Sequence, residues 1–287
     1  MTVGIVTDSA SSLPPELVAA HHITVVPMGL TVGGRAGHDG DFSLEEISAG
    51  LGEGVSTSGP SPGEVAEAVA AADRGEGVVV LTIAQPMSST YDSARLAMKL
   101  AEGPVTVVDT GAAAGAQGLV VLAAARRAAE GASLAEVEQT SRQVAAQVRL
   151  VATLPTLEHL ARGGRVPQAA AWAGRWLGVN PVFEFRSGHV RPLRPARSRD
   201  AAHDRLITLL DHTSRPGAEL HLAVMHALDP ASADHLLDQL GERYHPAEAW
   251  VGSFTSVMVA HTGPGLVGLA WWWGGAGEPA PAALPDG

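Results

Sequence analysis

A short hydroxyl-rich turn at residues 57–64 is the segment of this chain best suited to hold an anion. It contains Thr57 and Ser58, and Ser61 stands three residues before Glu64 in the pattern of a helix capping box. The amide end of the following helix is therefore predicted to point back at Thr57 and Ser58. Fixed hydroxyls and helix N-termini both stabilise an anionic oxygen. Because the lysine-bearing phosphate loop is absent, we predict a site for a carboxylate-like anion without a counter-charge.

Two further segments carry side chains that could bind the same anion. His261 is followed by a rigid Gly-Pro-Gly turn and an unusually apolar strand. It is either a turn histidine that caps a core strand or a donor at the mouth of an apolar cavity. Ser88 is predicted to open a helix that also carries Thr90 and Tyr91. A serine at this place is often only a helix cap, and its alternative role is a hydroxyl donor.

The remaining chemistry-bearing residues give weaker signals. Arg165 follows two glycines, and Arg197 lies two residues after Pro195. Taken singly, each arginine is typical of a surface charge. The histidines lack metal-site spacing, and the acidic residues form no convincing pair for hydrolysis. The chain has no cysteine, which excludes disulfides and thiolate chemistry, and we predict neither a metal nor a cofactor.

Composition limits the class of partner. The formal net charge is −11, which argues against nucleic acid because phosphate neutralisation needs a basic surface. Hydrophobic residues make up 46 % of the chain and charged residues 17 %, enough for a well-buried core. No apolar run approaches the roughly 18 residues of a membrane span. The N-terminus is typical of a first strand rather than a signal peptide, so we expect a cytoplasmic protein.

Apolar strand patterns alternate with helical patterns through the first half of the chain. This alternation predicts an α/β fold with a doubly wound, mainly parallel sheet over residues 1–148. Residues 149–275 read as an α+β domain with antiparallel strands, including a hairpin at Arg186-Ser187-Gly188, and 276–287 as a flexible tail. The predicted strands of the first half are 3–7, 23–27, 78–83 and 105–109, and its predicted helices are 14–20, 44–51, 62–72, 88–101, 112–130 and 134–148.

The carboxyl ends of parallel strands are where such sheets bind ligands. The first strand is followed by Thr7-Asp8-Ser9 and the third by Ser88-Ser89-Thr90, so hydroxyl groups accumulate at one edge of the predicted sheet. Asp8 and Ser9 are either turn residues or part of this site. We expect the site at that edge.

In combination these segments resemble the DegV family of bacterial lipid-binding proteins over nearly the whole length of the chain. The resemblance implies a two-domain protein that holds one long-chain fatty acid in a buried apolar tunnel. The matching segments, in order, are Val6-Thr7-Asp8-Ser9-Ala10, Val25-Val26-Pro27, Thr57-Ser58-Gly59-Pro60-Ser61, Ser88-Ser89-Thr90-Tyr91, Leu157-Glu158-His159-Leu160 with Gly163-Gly164-Arg165, Asn180-Pro181, Arg197-Ser198-Arg199 and His261-Thr262-Gly263-Pro264-Gly265.

The resemblance also implies a partner. Characterised members are the fatty-acid-binding subunit of a fatty acid kinase, and they present the carboxylate to a separate ATP-using subunit that makes acyl phosphate for phospholipid synthesis. Such a subunit is not an enzyme by itself, and it allows transient contact with a membrane. By this analogy Thr57 or Ser58, Ser88 and His261 bind the carboxylate. Arg165 and Arg197 lie near the opening and serve the phosphate or the kinase.

The chain departs from the family pattern beside these donors. Gly59 stands where the family usually has glutamine, and Ser89 stands where it usually has the glycine after Ser88. The glycine-bearing loop before Ser88 and the serine-bearing segment after Asp109 also differ. Binding of the head group is therefore better supported than any particular tail length.

Three alternatives use the same residues. A lipid carrier or storage protein without a kinase would need the same cavity. A serine hydrolase would use Ser88 and His261, but the nucleophile-elbow pattern and an acidic partner are missing. A nucleotide-binding protein would use the loops at 7–12 or 57–61 as a phosphate cradle, but no G-x-G-x-x-G follows the first strand.

Overall fold

The computed structural model describes residues 2–51, 54–166, 168–173, 178–275 and Leu284. In chain order the strands are β1 (Gly4–Asp8), β2 (Thr24–Val26), β3 (Gly29–Val32), β4 (Arg35–His38), β5 (Ser56–Ser58), β6 (Val78–Thr82), β7 (Val105–Asp109), β8 (Arg149–Thr153), β9 (Asn180–Arg186), β10 (His189–Ala196), β11 (Glu219–His226), β12 (Glu248–Ser253) and β13 (Val267–Gly274).

The helices pack around three sheets. In chain order they are α1 (Pro15–Ala20), α2 (Leu44–Gly50), α3 (Pro62–Ala72), α4 (Thr90–Ala97), α5 (Ala114–Ala129), α6 (Leu134–Gln147), α7 (Glu158–Arg162), α8 (Ala169–Ala173), α9 (Arg199–Asp211), α10 (Pro230–Tyr244) and α11 (Ser256–Thr262). Two 3-10 turns, Ser9–Ser11 and Gln85–Met87, follow strands β1 and β6.

The N-terminal half forms the predicted parallel sheet. Its strand order is β2-β1-β6-β7, and every neighbouring pair is parallel. The buried run Val78–Thr82 is continuously apolar up to its last residue because helices cover both faces of the sheet. All four predicted strands and the helices 14–20, 44–51, 62–72, 112–130 and 134–148 are present, with ends that differ by up to two residues. The α/β fold is therefore confirmed.

The C-terminal half forms a six-stranded mixed sheet in the order β10-β9-β8-β13-β11-β12. Within this sheet, as far as the structure describes it, β11 and β12 are the one parallel pair, and the other neighbouring strands pair antiparallel. The hairpin of β9 and β10 turns at Ser187 and Gly188, as predicted. Strand β8 begins at Arg149 and is the first strand of this sheet in chain order. The domain limits 1–148 and 149–275 stay predictions.

Helix α5 is buried along most of its length and contacts both large sheets. Small residues allow this close packing. A Cβ atom on Gly115 would lie 2.8 Å from Sδ of Met225 in β11, and one on Gly118 would lie 3.1 Å from the carbonyl oxygen of Ser11, beyond β1. One hydrophobic core therefore runs from the parallel sheet through α5 to the mixed sheet.

A three-stranded antiparallel sheet, β4-β3-β5, was not predicted. Its strands are three or four residues long, too short for a clear alternation of polar and apolar residues. The signal for the hairpin of β3 and β4 is the Gly33-Gly34 pair, whose φ angles of 54° and 83° fit a two-residue turn. Thr57 and Ser58, predicted to lie in a turn, belong to β5 of this sheet.

Two helix predictions need correction. Ser88 has extended backbone angles (φ −154°, ψ 150°), so the predicted helix 88–101 begins only at Thr90, and Ser89 is its N-cap residue. His261, predicted to lie in a turn, is in the last turn of the short helix α11. The predicted flexible tail 276–287 lies outside the described residues apart from Leu284, which is buried.

Candidate functional site

A cavity of about 650 Å³ lies between the small sheet, the loop after β6, the mixed sheet and α11. Most of its lining is apolar, and strand β9 shows why. Phe183 and Phe185 line the cavity, whereas Glu184 between them faces the other side of the sheet and pairs with Arg149. The other apolar residues of the lining are Met28, Ile83, Pro86, Met87, Ala113, Leu150, Ala152, Leu160, Val166, Val190, Phe254, Val257, Met258 and Leu266.

Two polar residues of the lining contact each other directly. Thr57 and His261 come together from positions 204 residues apart, with Oγ1 of Thr57 2.9 Å from Nε2 of His261. Both side chains are half-buried. The fold therefore brings two of the predicted site residues into direct hydrogen-bond contact, one from β5 and one from α11.

The imidazole of His261 is neutral at physiological pH. Burial, together with the nearby Arg165 guanidinium, lowers the pKa of His261 to about 4. A neutral imidazole has one donor and one acceptor nitrogen. When Nε2 carries the proton it donates to Thr57, and the Thr57 hydroxyl is then free to donate to a ligand. The pair is thus a neutral hydrogen-bond donor at a largely apolar cavity.

Two loops fit together around His261. A Cβ atom on Gly163 would lie 2.9 Å from Nδ1 of His261, so this position accepts no side chain without moving the ring. Conversely, Gly263 has a φ angle of 72°, and a Cβ atom added to it would lie 2.3 Å from Cδ2 of His159. His159 and Gly163 lie in one segment of the chain, and His261 and Gly263 lie in the other. Each glycine leaves space for the histidine of the other segment.

Ser88 lines the same cavity and is half-buried. Its Oγ lies 2.8 Å from Oγ1 of Thr90 and accepts the Thr90 amide at 3.3 Å. Ser58 also lines the cavity, and its side chain is exposed. The lining thus includes all four of the predicted carboxylate-binding residues, Thr57, Ser58, Ser88 and His261. Their role as ligands of a carboxylate stays a prediction.

The predicted contribution of helix α3 to this site is not supported by the cavity lining. The capping box is present, since Ser61 Oγ accepts the Glu64 amide at 3.2 Å and Glu64 Oε2 accepts the Ser61 amide at 2.7 Å. However, Gly59 is the last residue before α3 that lines the cavity, and no residue of α3 itself lines it. The capping box fixes the helix, while the hydroxyls that face the cavity come from β5.

The two arginines differ in position. Arg165 lines the cavity, is exposed, and donates from Nη1 to the carbonyl oxygen of Gly163 at 2.9 Å. Arg197 is exposed between β10 and α9 and does not line the cavity. Its predicted place near the opening is therefore not supported by the lining. A role at the surface stays a prediction.

The hydrolase alternative is not supported by the geometry. Ser88 is bonded to Thr90, and Nε2 of His261 is bonded to Thr57, so serine and histidine form no catalytic pair. Nδ1 of His261 has no hydrogen-bond partner, which leaves the imidazole without an orienting carboxylate. Across the described ranges, no group of three histidine or acidic side chains could hold a metal ion.

Asp8, the last residue of β1, and Ser9, which follows it, make hydrogen bonds next to the site. Asp8 Oδ2 accepts the amide of Ile83, a cavity-lining residue, at 2.8 Å, and Oδ1 accepts from Gln117 at 3.1 Å. Burial raises the pKa of Asp8 to about 6, although these hydrogen bonds oppose the rise. Ser9 donates to Asp39 at 2.7 Å. Both residues tie the ends of strands and loops together rather than facing the cavity.

Comparisons with known proteins agree with this architecture. A family model described as "Uncharacterised protein, DegV family" matches residues 2–273. A DegV domain-containing protein of Streptomyces coelicolor is 36% identical over 273 residues, which cover 93% of this chain and 97% of that protein.

Solved structures give the same result. A DegV family protein from Thermus thermophilus, described as binding fatty acid, has 30% identity and a TM-score of 0.88, and the match covers 95% of this chain and 100% of that one. DegV of Bacillus subtilis, described as a fatty acid binding protein, has 25% identity and a TM-score of 0.83, with coverage of 95% and 99%. By sequence and by fold, this chain belongs to the DegV family.

Proposed function

We propose that this protein binds one long-chain fatty acid, with the tail in the cavity and the carboxylate at Thr57, Ser58, Ser88 and His261. The observation that carries the proposal is the neutral Thr57–His261 pair, which lies on the lining of a cavity whose other walls are mostly apolar. The relatives from Thermus thermophilus and Bacillus subtilis are described as binding fatty acids, and this supports the same ligand class here.

The size and character of the cavity fit this ligand. Its volume of about 650 Å³ lies within the usual range for small-molecule sites. Burial of about 15 methylenes at ~0.8 kcal/mol each would contribute on the order of 12 kcal/mol before the costs of association. The tail supplies the affinity, so the donors need only replace the water lost from the carboxylate.

Neutral donors also leave the carboxylate reactive. We propose that the protein presents its fatty acid to a separate ATP-dependent kinase subunit in the cytoplasm, which forms acyl phosphate for phospholipid synthesis. A bidentate arginine clamp would hold the carboxylate oxygens. Here the arginine of the lining, Arg165, is exposed and bonded to a backbone carbonyl, which places a cation beside the site without closing it.

Transient contact with a membrane would supply the fatty acid. No helix within the described ranges is long and apolar enough to cross a bilayer.

Mass spectrometry of the purified protein under native conditions tests the ligand. We expect one bound fatty acid, released on denaturation, whose mass identifies the tail. The variants Thr57→Ala and His261→Ala should lose most of this lipid, while Ser61→Ala, whose hydroxyl caps α3 outside the cavity, should keep it. A wild-type protein that is empty and cannot be loaded with palmitate would contradict the proposal.

A lipid carrier without a kinase is the second candidate, because the same cavity would serve it. The two are separated by adding the loaded protein to a fatty acid kinase subunit with ATP. Formation of acyl phosphate supports the kinase role. Exchange of fatty acid with vesicles and no product with any cognate kinase subunit would support the carrier.

A further inference from the structure

Helix α11, which carries His261, is not capped by its own sequence. Its N-cap residue, Thr255, forms no side-chain hydrogen bond to the helix. Instead Oδ1 of Asp39 accepts the amide of Val257 at 3.1 Å, across 218 residues of sequence. A carboxylate that accepts a first-turn amide does the work of an N-cap and interacts favourably with the helix dipole. The cap therefore comes from the loop after β4.

Asp39 is itself fixed in place. Its Oδ2 accepts the hydroxyl of Ser9 at 2.7 Å, and its backbone amide donates to the carbonyl oxygen of Met28 at 2.8 Å. The same Ser9 hydroxyl accepts the amide of Met28 at 3.1 Å. The carboxylate is thus joined to the end of β1 on one side and to α11 on the other. It is a link between the parallel sheet and the helix of the site.

The loop after β4 binds the first turn of α11, and strand β5 of the small sheet contacts its last turn. At the first turn, Asp39 binds the Val257 amide, and the carbonyl oxygen of Phe42 accepts the hydroxyl of Ser256 at 2.8 Å. At the last turn, Thr57 of β5 contacts His261. Val257 lies one helical turn before His261, and both residues line the cavity. Release of the first turn would therefore let the helix shift and move the imidazole away from Thr57.

We propose that Asp39 is a positioning residue for the fatty-acid site, which fixes helix α11 so that the imidazole of His261 stays against Thr57. Ser9 is the second member of this link because it fixes the carboxylate. This assigns a role to the Asp8-Ser9 segment, which neither faces the cavity nor forms a phosphate cradle. The effect on ligand affinity rests on the proposed function, whereas the effect on the position of His261 does not.

The test uses the full chain and starts without ligand. NMR of the histidine side chains gives the pKa of His261, which is about 4 in its buried place. In Asp39→Ala we expect this pKa to rise toward 6.5 as the ring gains solvent. Loss of a nearby negative charge alone would lower the pKa of a histidine. The sign of the change therefore distinguishes movement of the ring from removal of a charge.

Two variants are matched controls. In Asp39→Asn the side-chain oxygen can still accept the Val257 amide, so we expect the His261 pKa to stay near that of the wild type. Asp41 lies in the same loop, and its carboxylate binds the amide of His38 rather than α11. Asp41→Ala should therefore leave His261 unchanged. Ser9→Ala should shift the pKa in the same direction as Asp39→Ala but less, and it serves if Asp39→Ala does not fold.

Binding of palmitate gives the second measurement. We expect the Kd for palmitate to rise about tenfold in Asp39→Ala, because a change of this size is typical when a helix loses its cap. In the controls Asp39→Asn and Asp41→Ala, the Kd should stay within about twofold of the wild-type value. In a His261→Ala background, Asp39→Ala should add little, because the two residues act through one contact. Additive losses, or an unchanged His261 pKa in Asp39→Ala, would overturn the proposal. If the wild type binds no palmitate, the proposed function fails while the NMR result still decides the role of Asp39.

Discussion

Gly59 and Ser89 share one space beside the site: a Cβ atom on Gly59 would lie 2.8 Å from the Ser89 hydroxyl oxygen and 3.1 Å from the Thr90 amide. The resemblance to the DegV family implies that both positions depart from its usual pattern. With a larger residue at 59 and a glycine at 89, the side chain of residue 59 would occupy this space. With Gly59 and Ser89, as in this chain, the serine side chain occupies it.

This contact predicts that the two positions are coupled. Gly59→Gln alone should destabilise the protein by about 1–3 kcal/mol, because the new side chain meets Ser89 and the Thr90 backbone. Adding Ser89→Gly should recover much of that loss. Denaturant unfolding of the wild type, both single variants and the double variant measures the coupling energy. Losses that simply add would show that the two side chains do not share this space. Gly63→Ala, with its nearest neighbour at 3.8 Å, is the control for a glycine with room.

Stability should depend on pH through two groups with opposite signs. Burial and the Arg165 cation lower the folded-state pKa of His261 to about 4, so the unfolded chain binds more protons between pH 4 and 6.5. This contribution stabilises the folded protein above pH 6.5 and is lost as the pH falls toward 4. Burial raises the pKa of Asp8 to about 6, so its contribution is favourable at low pH and is lost as the pH rises from 3.8 to 6.

Variants separate the two contributions, each on the order of 3 kcal/mol. In lipid-free Asp8→Asn, the free energy of unfolding should rise more steeply between pH 4 and 6 than in the wild type. In His261→Gln it should rise less steeply or fall. Chemical denaturation at several pH values measures both slopes. Parallel curves for all three proteins would contradict the pKa values of these groups.

The cation of Arg165 should serve the kinase step rather than lipid binding. Arg165→Ala is expected to keep the co-purified fatty acid, because Arg165 is exposed and binds the carbonyl oxygen of Gly163. It should abolish formation of acyl phosphate with the kinase subunit, and Arg197→Ala should do the same. Arg142→Ala, an exposed arginine paired with Glu138 on α6, is the control. A variant that loses its lipid would show that the arginine binds the ligand directly.

The tail should lie along the face of β8. Leu150 and Ala152 of β8 line the cavity, and Val151 between them faces the other core. Ala152→Phe adds a ring to the cavity, so we expect the protein to purify empty or with a shorter fatty acid. Ala152→Ser changes little in volume and should keep the wild-type lipid. Mass spectrometry of the extracted lipid measures the difference, and an unchanged tail length in Ala152→Phe would place the tail elsewhere.

Regular patterns made the parallel sheet predictable. The run Val78–Leu81 is continuously apolar, as expected for a strand with helices on both faces of its sheet, and such a run is visible in the local sequence. The capping box at Ser61 is likewise local, since its two hydrogen bonds join residues three apart. Both features are confirmed. The predicted place of the capped helix at the site is not supported, because the cavity lining includes no residue of α3.

The site itself depends on contacts that no local pattern contains. Thr57 and His261 are 204 residues apart, and Asp39 and Val257 are 218 apart. The family resemblance indicated the first pair as binding residues, but not that they contact each other. Asp39 carried no signal of its own, because an aspartate before glycine is typical of a turn. Its role appears only when the fold places the loop after β4 beside the first turn of α11.

The burial of helix α5 between the two large sheets has a consequence for cooperativity. Since α5 packs on β1 and β6 on one side and on β11 and β13 on the other, neither sheet can lose its packing while the other keeps its own. The chain should therefore melt in a single transition. A ligand that binds at the cavity would raise the melting temperature of both sheets together, so heat-capacity traces with and without lipid should shift as one peak.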